Sequence, residues 1–211
     1  MARYSGSPFG KISGKLGESV GASWKGIKVV RVYQSVVGNP RTFAQQMQRA
    51  RFRALSALGK AFGSVLKLGF RNHTQSLTAQ NLFMSRNKDA TAGATPETIE
   101  VVPADVQISD GDLRPIAALA ATGNTANSLD LTWTQNLGGD AQGTDYVAVS
   151  VWNRTEDVVF SSEASFTRAD QAGTLSGITL NPGDELEIYT FTHNAITGKV
   201  SATVQLSYVA S

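Results

Sequence analysis

Apolar and polar residues change rhythm three times along this chain. From Val20, two apolar runs, Gly21-Ala22-Ser23-Trp24 and Ile27-Lys28-Val29-Val30-Arg31-Val32-Tyr33, flank a Lys25-Gly26 pair suited to a tight turn, and the pattern predicts a β-hairpin. A lone hairpin is marginal in water, so it is expected to pack on its own helices, on a second domain or on another subunit. At Asn39-Pro40-Arg41-Thr42 the period becomes helical: Asn39 or Thr42 caps, Pro40 suits the first turn, and Thr42 with Gln45 matches a capping box. On a helical projection Phe43, Met47, Ala50, Ala54, Leu58, Phe62 and Val65 share one face, and Arg49, Arg53, Lys60 and Lys67 form a stripe opposite. Gly59, Gly63 and Gly69 each weaken the helix by about 1 kcal/mol relative to Ala, so the segment reads as two shorter helices or as one with a close approach at Gly59 and Gly63. A second helix is expected from about Thr74 to Ser85.

Residues 89–98 have linker composition, and Ile99–Val102 and Val106–Ile108 read as short strands. Past Pro115 the rhythm becomes that of strands, at Ile116–Ala121, Leu129–Thr134, Tyr146–Trp152, Val158–Ser161, Thr174–Leu180, Leu186–Thr192 and Val200–Tyr208, with Gly, Asn and Asp clusters between. Such a series implies a β-sandwich. The fold class is therefore α+β, with a basic arm, β-hairpin and helical anchor over 1–88, a linker with short strands over 89–112, and an all-β immunoglobulin-like sandwich over 113–211.

Charge sharpens that division. Residues 1–88 hold fifteen Lys/Arg against Glu18 alone, while residues 89–211 hold four Lys/Arg against sixteen Asp/Glu, so the bland formal net of +2 hides two opposed halves. The front part suits a polyanion or an acidic protein surface. With no cysteine there is no disulfide framework, thiolate nucleophile or cysteine-held metal. The opening residues lack a signal-peptide apolar run and no apolar stretch reaches about 18 residues, which predicts a chain made in the cytoplasm without membrane insertion.

Two resemblances follow from particular residues. Ser128-Leu129-Asp130-Leu131-Thr132-Trp133-Thr134 and Leu180-Asn181-Pro182-Gly183-Asp184-Glu185-Leu186 resemble fibronectin type III and related immunoglobulin-like domains; the resemblance implies that Trp133 packs the core and that Leu180 and Pro182 build a turn, with Leu186 standing where the family usually has a corner tyrosine. Nearly the whole chain is similar to an uncharacterised family found in Bacteroidota and their phages, through Gly10-Lys11-Ile12-Ser13-Gly14-Lys15, Trp24-Lys25-Gly26-Ile27, Asn39-Pro40-Arg41-Thr42, Gln45-Gln46, Phe52, Leu55-Ser56, Ala79-Gln80-Asn81 and Leu131-Thr132-Trp133. This second resemblance implies a fixed pairing of a basic N-terminal unit with a sandwich, and no activity.

Little else carries chemistry. The Gly10–Lys15 segment fails as a phosphate loop, because Gly10 and Gly14 are spaced one residue too closely, Leu16 replaces Ser/Thr after Lys15, and no strand precedes it. His73 and His193 lack partners for a triad or a metal and read as surface or packing residues. Alternation puts Glu185 and Glu187 on one exposed strand face, and Asp140 and Asp145 in a glycine-rich loop, with weak calcium binding there as the lesser alternative. Trp152 and Phe160 are the only candidates for an aromatic platform that would bind carbohydrate, and serve equally as core.

The expectation is a non-enzymatic structural or assembly protein, a phage virion component, with no cofactor, no metal and no small-molecule substrate. Lys11, Lys15, Trp24, Lys28, Arg31, Arg49, Arg53, Lys60 and Lys67 are the anchoring residues, Trp24, Phe43, Met47, Leu58 and Phe62 the anchoring core, and the partners are proteins of an oligomeric assembly, either copies of this chain or virion proteins. The alternative is a sequence-independent nucleic-acid binder using the same basic unit.

Overall fold

A computed structural model describes residues 2–3, 13–24, 26–36, 38–73, 77–125 and 127–210, with residues 2, 3, 24 and 123–125 described by their backbone. The chain divides into two compact units, Met1–Thr42 and Phe43–Ser211.

The first unit is an antiparallel four-stranded sheet in the order β1-β4-β3-β2, with β1 Ala2–Arg3, β2 Gly14–Leu16, β3 Ser19–Trp24 and β4 Ile27–Val32. The expected hairpin is β3 and β4, paired from Ser19↔Val32 to Trp24↔Ile27, with Gly26 at φ 79° where a side chain would strain the turn. None of the described apolar side chains of this unit is buried.

The second unit is layered. Its helices are α1 Phe43–Phe62, α2 Ser64–Gly69 and α3 Ala79–Arg86, followed by a two-stranded ribbon of β5 Thr91–Ala92 and β6 Glu100–Val101. Then come β7 Ala117–Thr125, β8 Ser128–Thr134, β9 Tyr146–Asn153, β10 Val158–Thr167, β11 Ala172–Ser176, β12 Glu185–His193 and β13 Val204–Val209. Three of these form the sheet β11-β8-β7 and four the sheet β10-β9-β12-β13. All seven expected strands are present and the α+β sandwich stands. Trp133 is buried between the sheets with Leu129, Leu131, Val147, Val149, Val151, Leu180, Leu186 and Ile188.

The helices are not a separate anchor. Alternation along β9 and β12 sends Val147, Val149, Val151, Leu186 and Ile188 to the three-stranded sheet, and the intervening Ala148, Tyr189 and Phe191 into a second core with Leu55, Leu58, Phe62, Val65, Leu66, Phe70, Leu82 and Phe83. The four-stranded sheet is thus covered on both faces. The unit boundary accordingly falls at Thr42/Phe43 and not at the charge step near Asp89, because apolar burial decides which elements fold together whereas charge marks only what stays outside.

Three further expectations change. Residues 89–112 do not behave as a linker: Ala90, Val106 and Ile108 are buried in the helical core, and Val106–Ile108 is irregular, not a strand. Its backbone is held by side chains, since Asn87 Oδ1 accepts the Gln107 N–H at 2.7 Å and Thr203 Oγ1 accepts the N–H groups of Ile108 and Ser109 at 2.9 Å. The α1 seam is rotated toward Leu55 and Gly59, and Phe43 is 60 % exposed and Met47 half-buried, because only the second half of α1 lies over the sheet. Finally, α3 starts at Ala79, not near Thr74, where Thr78 accepts the Asn81 N–H at 3.2 Å as N-cap.

The glycines serve both purposes foreseen for them. Gly63, at φ 53°, separates α1 from α2, and Gly59 lies so close to α3 that a Cβ there would sit 2.7 Å from the Phe83 ring. Gly69 is tighter still: an added Cβ would stand 2.2 Å from the Ile108 carbonyl oxygen, a backbone atom that cannot swing away. Gly69→Ala is expected to cost about 1–3 kcal/mol, overriding the helix-propensity gain of about 1 kcal/mol, as a lowered urea midpoint at unchanged slope will show.

Candidate functional site

Two kinds of polar grouping stand out, one buried and one exposed. The buried one lies at one end of the sandwich. Arg168 and Asp145 are both fully buried, and a guanidinium nitrogen of Arg168 lies 3.3 Å from the Asp145 carboxylate. The same guanidinium donates to the carbonyls of Gln135 (2.8 Å) and Arg114 (2.6 Å) and to Thr192 Oγ1 (2.9 Å). Burial pulls this guanidinium below its ordinary pKa, and the charge of Asp145 opposes the pull. Asp145 also accepts the Gln142 N–H and the Asn194 amide. Asp140 pairs with Lys199. Both acids of the glycine-rich loop therefore have cationic partners, Arg168 for Asp145 and Lys199 for Asp140. Among the described residues no cluster of three or more His, Asp or Glu has metal-binding geometry.

His193 packs beside this pair. Its Nε2 meets the Glu163 carbonyl at 2.9 Å, its ring stacks on Tyr146 at 5.4 Å, and Nδ1 has no hydrogen-bond partner among the described residues. Burial holds the imidazole below its ordinary value of 6.5, with the Glu163 carbonyl opposing. Protons therefore bind the unfolded chain before the folded one. Stability is expected to fall as pH drops below about 6.5, and His193→Gln is expected to flatten that part of a pH–stability curve measured by urea unfolding.

Glu187 corrects another expectation. It is buried beside Tyr189, not on an exposed face with Glu185, and accepts from Gln205 and Ser207 at 2.7 Å; that charge and burial together push the Tyr189 hydroxyl pKa up. Trp152 is half-buried against the helical core and Phe160 against the sandwich core, so neither is an open platform.

The exposed grouping is on α1. Arg49, Arg53 and Lys60 come together with Phe52, Gln45, Gln48, Ser56 and Ala57 around a hollow of about 660 Å³, and Phe52 is 58 % exposed. Lys67 stands on α2 beyond the Gly63 break, outside the hollow. Arg71 does not belong to the interaction stripe: its guanidinium braces a loop by donating to the carbonyls of Gly198 (2.6 Å) and Asn194 (2.5 Å). The signal for Phe52 in the sequence was its spacing, one position before Arg53 and off the apolar seam.

In the first unit the register places Lys15, Val20 and Arg31 in one row across β2, β3 and β4, hence on one face, and Lys28, three positions from Arg31, on the other. Lys15 Nζ sits 3.8 Å from the Tyr33 ring centre, a cation–π contact. Pairing sets Trp24 opposite Ile27, and Lys11 lies outside the described residues. No described helix is long and apolar enough to cross a membrane.

A family model described as a family of unknown function, DUF6266, matches residues 11–207. No curated protein matches significantly. Among solved structures, the fibronectin type III domain of human collagen alpha-1(XX) chain aligns over 49 % of this chain and 90 % of its own, at 18 % identity and a TM-score of 0.37. A computationally redesigned β-sandwich protein aligns over 47 % of this chain and 97 % of its own at 17 % identity and TM-score 0.36. Chicken CNTN1 domains FN1–FN3 align over 48 % of this chain and 32 % of theirs at 8 % identity and TM-score 0.36.

Proposed function

We propose, taking as premise that the chain belongs to the DUF6266 family of unknown function, that it is a non-enzymatic structural protein that joins a larger protein assembly through its basic N-terminal residues. One observation carries this reading. The first unit is a four-stranded sheet with no buried apolar side chain among those described, while Leu16, Val32, Tyr33 and Val36 are exposed. A sheet in that condition gains stability only when another surface removes its apolar side chains from water. Lys15 and Arg31 on one of its faces suit a partner surface of acidic character. The assembly to examine first is a phage virion, because the sequence resembles a family that extends to phages.

Sedimentation velocity of the full chain over a range of concentrations tests the proposal. Association that grows with concentration and weakens with salt is the expected result; a chain that stays monomeric at high concentration and joins no particle overturns it.

A second reading rests on the eight Lys/Arg and no acid of residues 43–88: sequence-independent binding of nucleic acid. It requires retention on DNA or RNA at low salt and loss of that retention when Arg49, Arg53, Lys60 and Lys67 are changed to Glu. No retention of the unaltered chain removes it.

A further inference from the structure

The exposed side of α1 has two unlike flanks. On one, Arg53 and Lys60 are exposed and have no hydrogen-bond or ion-pair partner among the described residues. On the other, Ala54, Ala57, Leu58 and Ala61 floor a groove of about 630 Å³ whose far wall is Ile99, Glu100 and Val101 of the ribbon with Trp152, Arg154 and Asp157 of the β9–β10 hairpin. Arg154 is committed to Glu185 at 3.1 Å and to the nearby Glu187, so Glu100 and Asp157 set the sign of that wall, which is acidic. Basic stripe, small-residue ridge and acid-walled groove therefore run side by side along one helix.

We infer that this surface is a self-complementary docking site and that its occupant is a second copy of the chain, paired about a two-fold axis running along α1. The inference rests on the assembly role proposed above and names one partner and one surface for it. With the axis in that direction a feature on one flank of a copy meets the opposite flank of its partner, so Arg53 and Lys60 face the other copy's Glu100 and Asp157, and the contact repeats in reverse. An axis across the helix sets basic stripe on basic stripe and is excluded by like charge. Ala57 and Ala61, both exposed, let the two helices approach closely along the seam, while the exposed Phe52 adds apolar area beside Arg53. A helix of 20 residues is about 30 Å long and about 10 Å wide, so with both flanks the patch approaches the ~800 Å² per partner that stable interfaces bury.

Charge exchange on the full chain tests it. One variant carries Arg53→Glu and Lys60→Glu, the other Glu100→Lys and Asp157→Lys, and far-UV circular dichroism checks that each is folded. By analytical ultracentrifugation the unaltered chain is expected to form a dimer whose affinity falls with salt, each variant alone to associate at least tenfold more weakly, and the equimolar mixture to dimerise again, since both seams then hold opposite charges. Dimers or larger particles that persist unchanged in both variants overturn this surface while leaving the assembly role intact. Loss of association without recovery in the mixture overturns the two-fold pairing, and a chain that joins nothing overturns both. If a variant fails to fold, Arg53→Glu with Glu100→Lys as single changes gives the same comparison, and their mixture is read in the same way.

Discussion

Arg168→Met is expected to destabilise the second unit by about 3–5 kcal/mol, because it leaves the Asp145 carboxylate charged, fully buried and without its cation. In a protein of this size that corresponds to a fall of roughly 6–20 °C in melting temperature. The loss exceeds one ion pair, since the same guanidinium ties the Gln135 and Arg114 carbonyls to Thr192 on β12. The pair's net value is a different quantity. Desolvating two charges offsets much of their attraction, so Arg168→Met combined with Asp145→Asn should recover a large part of the deficit. Thermal and urea unfolding of the two single variants and the double variant measure the coupling. Additive losses would show that the charges do not depend on each other.

Phe62→Ala is the second large effect, at about 3–5 kcal/mol. Phe62 is almost fully buried, with edge-to-face contacts to Phe83 on α3 (5.9 Å, 63°) and to Tyr189 on β12 (5.5 Å, 87°). It is where α1, α3 and the four-stranded sheet meet. Its truncation should release the helical layer before the sandwich, so hydrogen exchange is expected to speed up in α1 to α3 more than in β8, β9 and β12. Equal acceleration everywhere would show that the layers open only together.

These two residues mark different limits of sequence reasoning. Phe62 was legible as an apolar helix position, but its partner was not, because a 3.6-residue period says that a face is buried and not against what. The clue lay elsewhere: Tyr146–Trp152 and Ile188–Phe191 are nearly continuous apolar runs, as expected of strands covered on both faces, whereas Ser128–Thr134 alternates as expected of a strand covered on one. Arg168 was illegible. Immediately after the end of β10 nothing local distinguishes a cation destined for the interior from one in solvent, and its partner Asp145 is 23 positions away in a loop that reads as exposed.

The basic residues divide in the same way. Arg49, Arg53 and Lys60 fell together because helical spacing is local and the helix formed. Lys67 was separated from them by the backbone turn at Gly63, and Arg71 was drawn inward to carbonyls more than 120 positions along the chain. Lys15 and Arg31 share a face because two tight turns, at Gly17 between β2 and β3 and at Gly26 between β3 and β4, set the register that puts both in one row with Val20.

The sequence by itself determined the hairpin, the seven strands of the sandwich and the opposed charges of the two halves, since each follows from residue type, turn chemistry or a period of a few residues; the core role of Trp133 was what the resemblance to fibronectin type III domains implied. Only the tertiary structure decided that the helices fold with the sandwich, that residues 89–112 contribute Ala90, Val106 and Ile108 to their shared core, and that Asp145 and Arg168 pair, buried, at one end of the sandwich. Those outcomes depend on which apolar surfaces and which charges meet across long separations in the chain, and that is settled by burial and close packing of the whole unit.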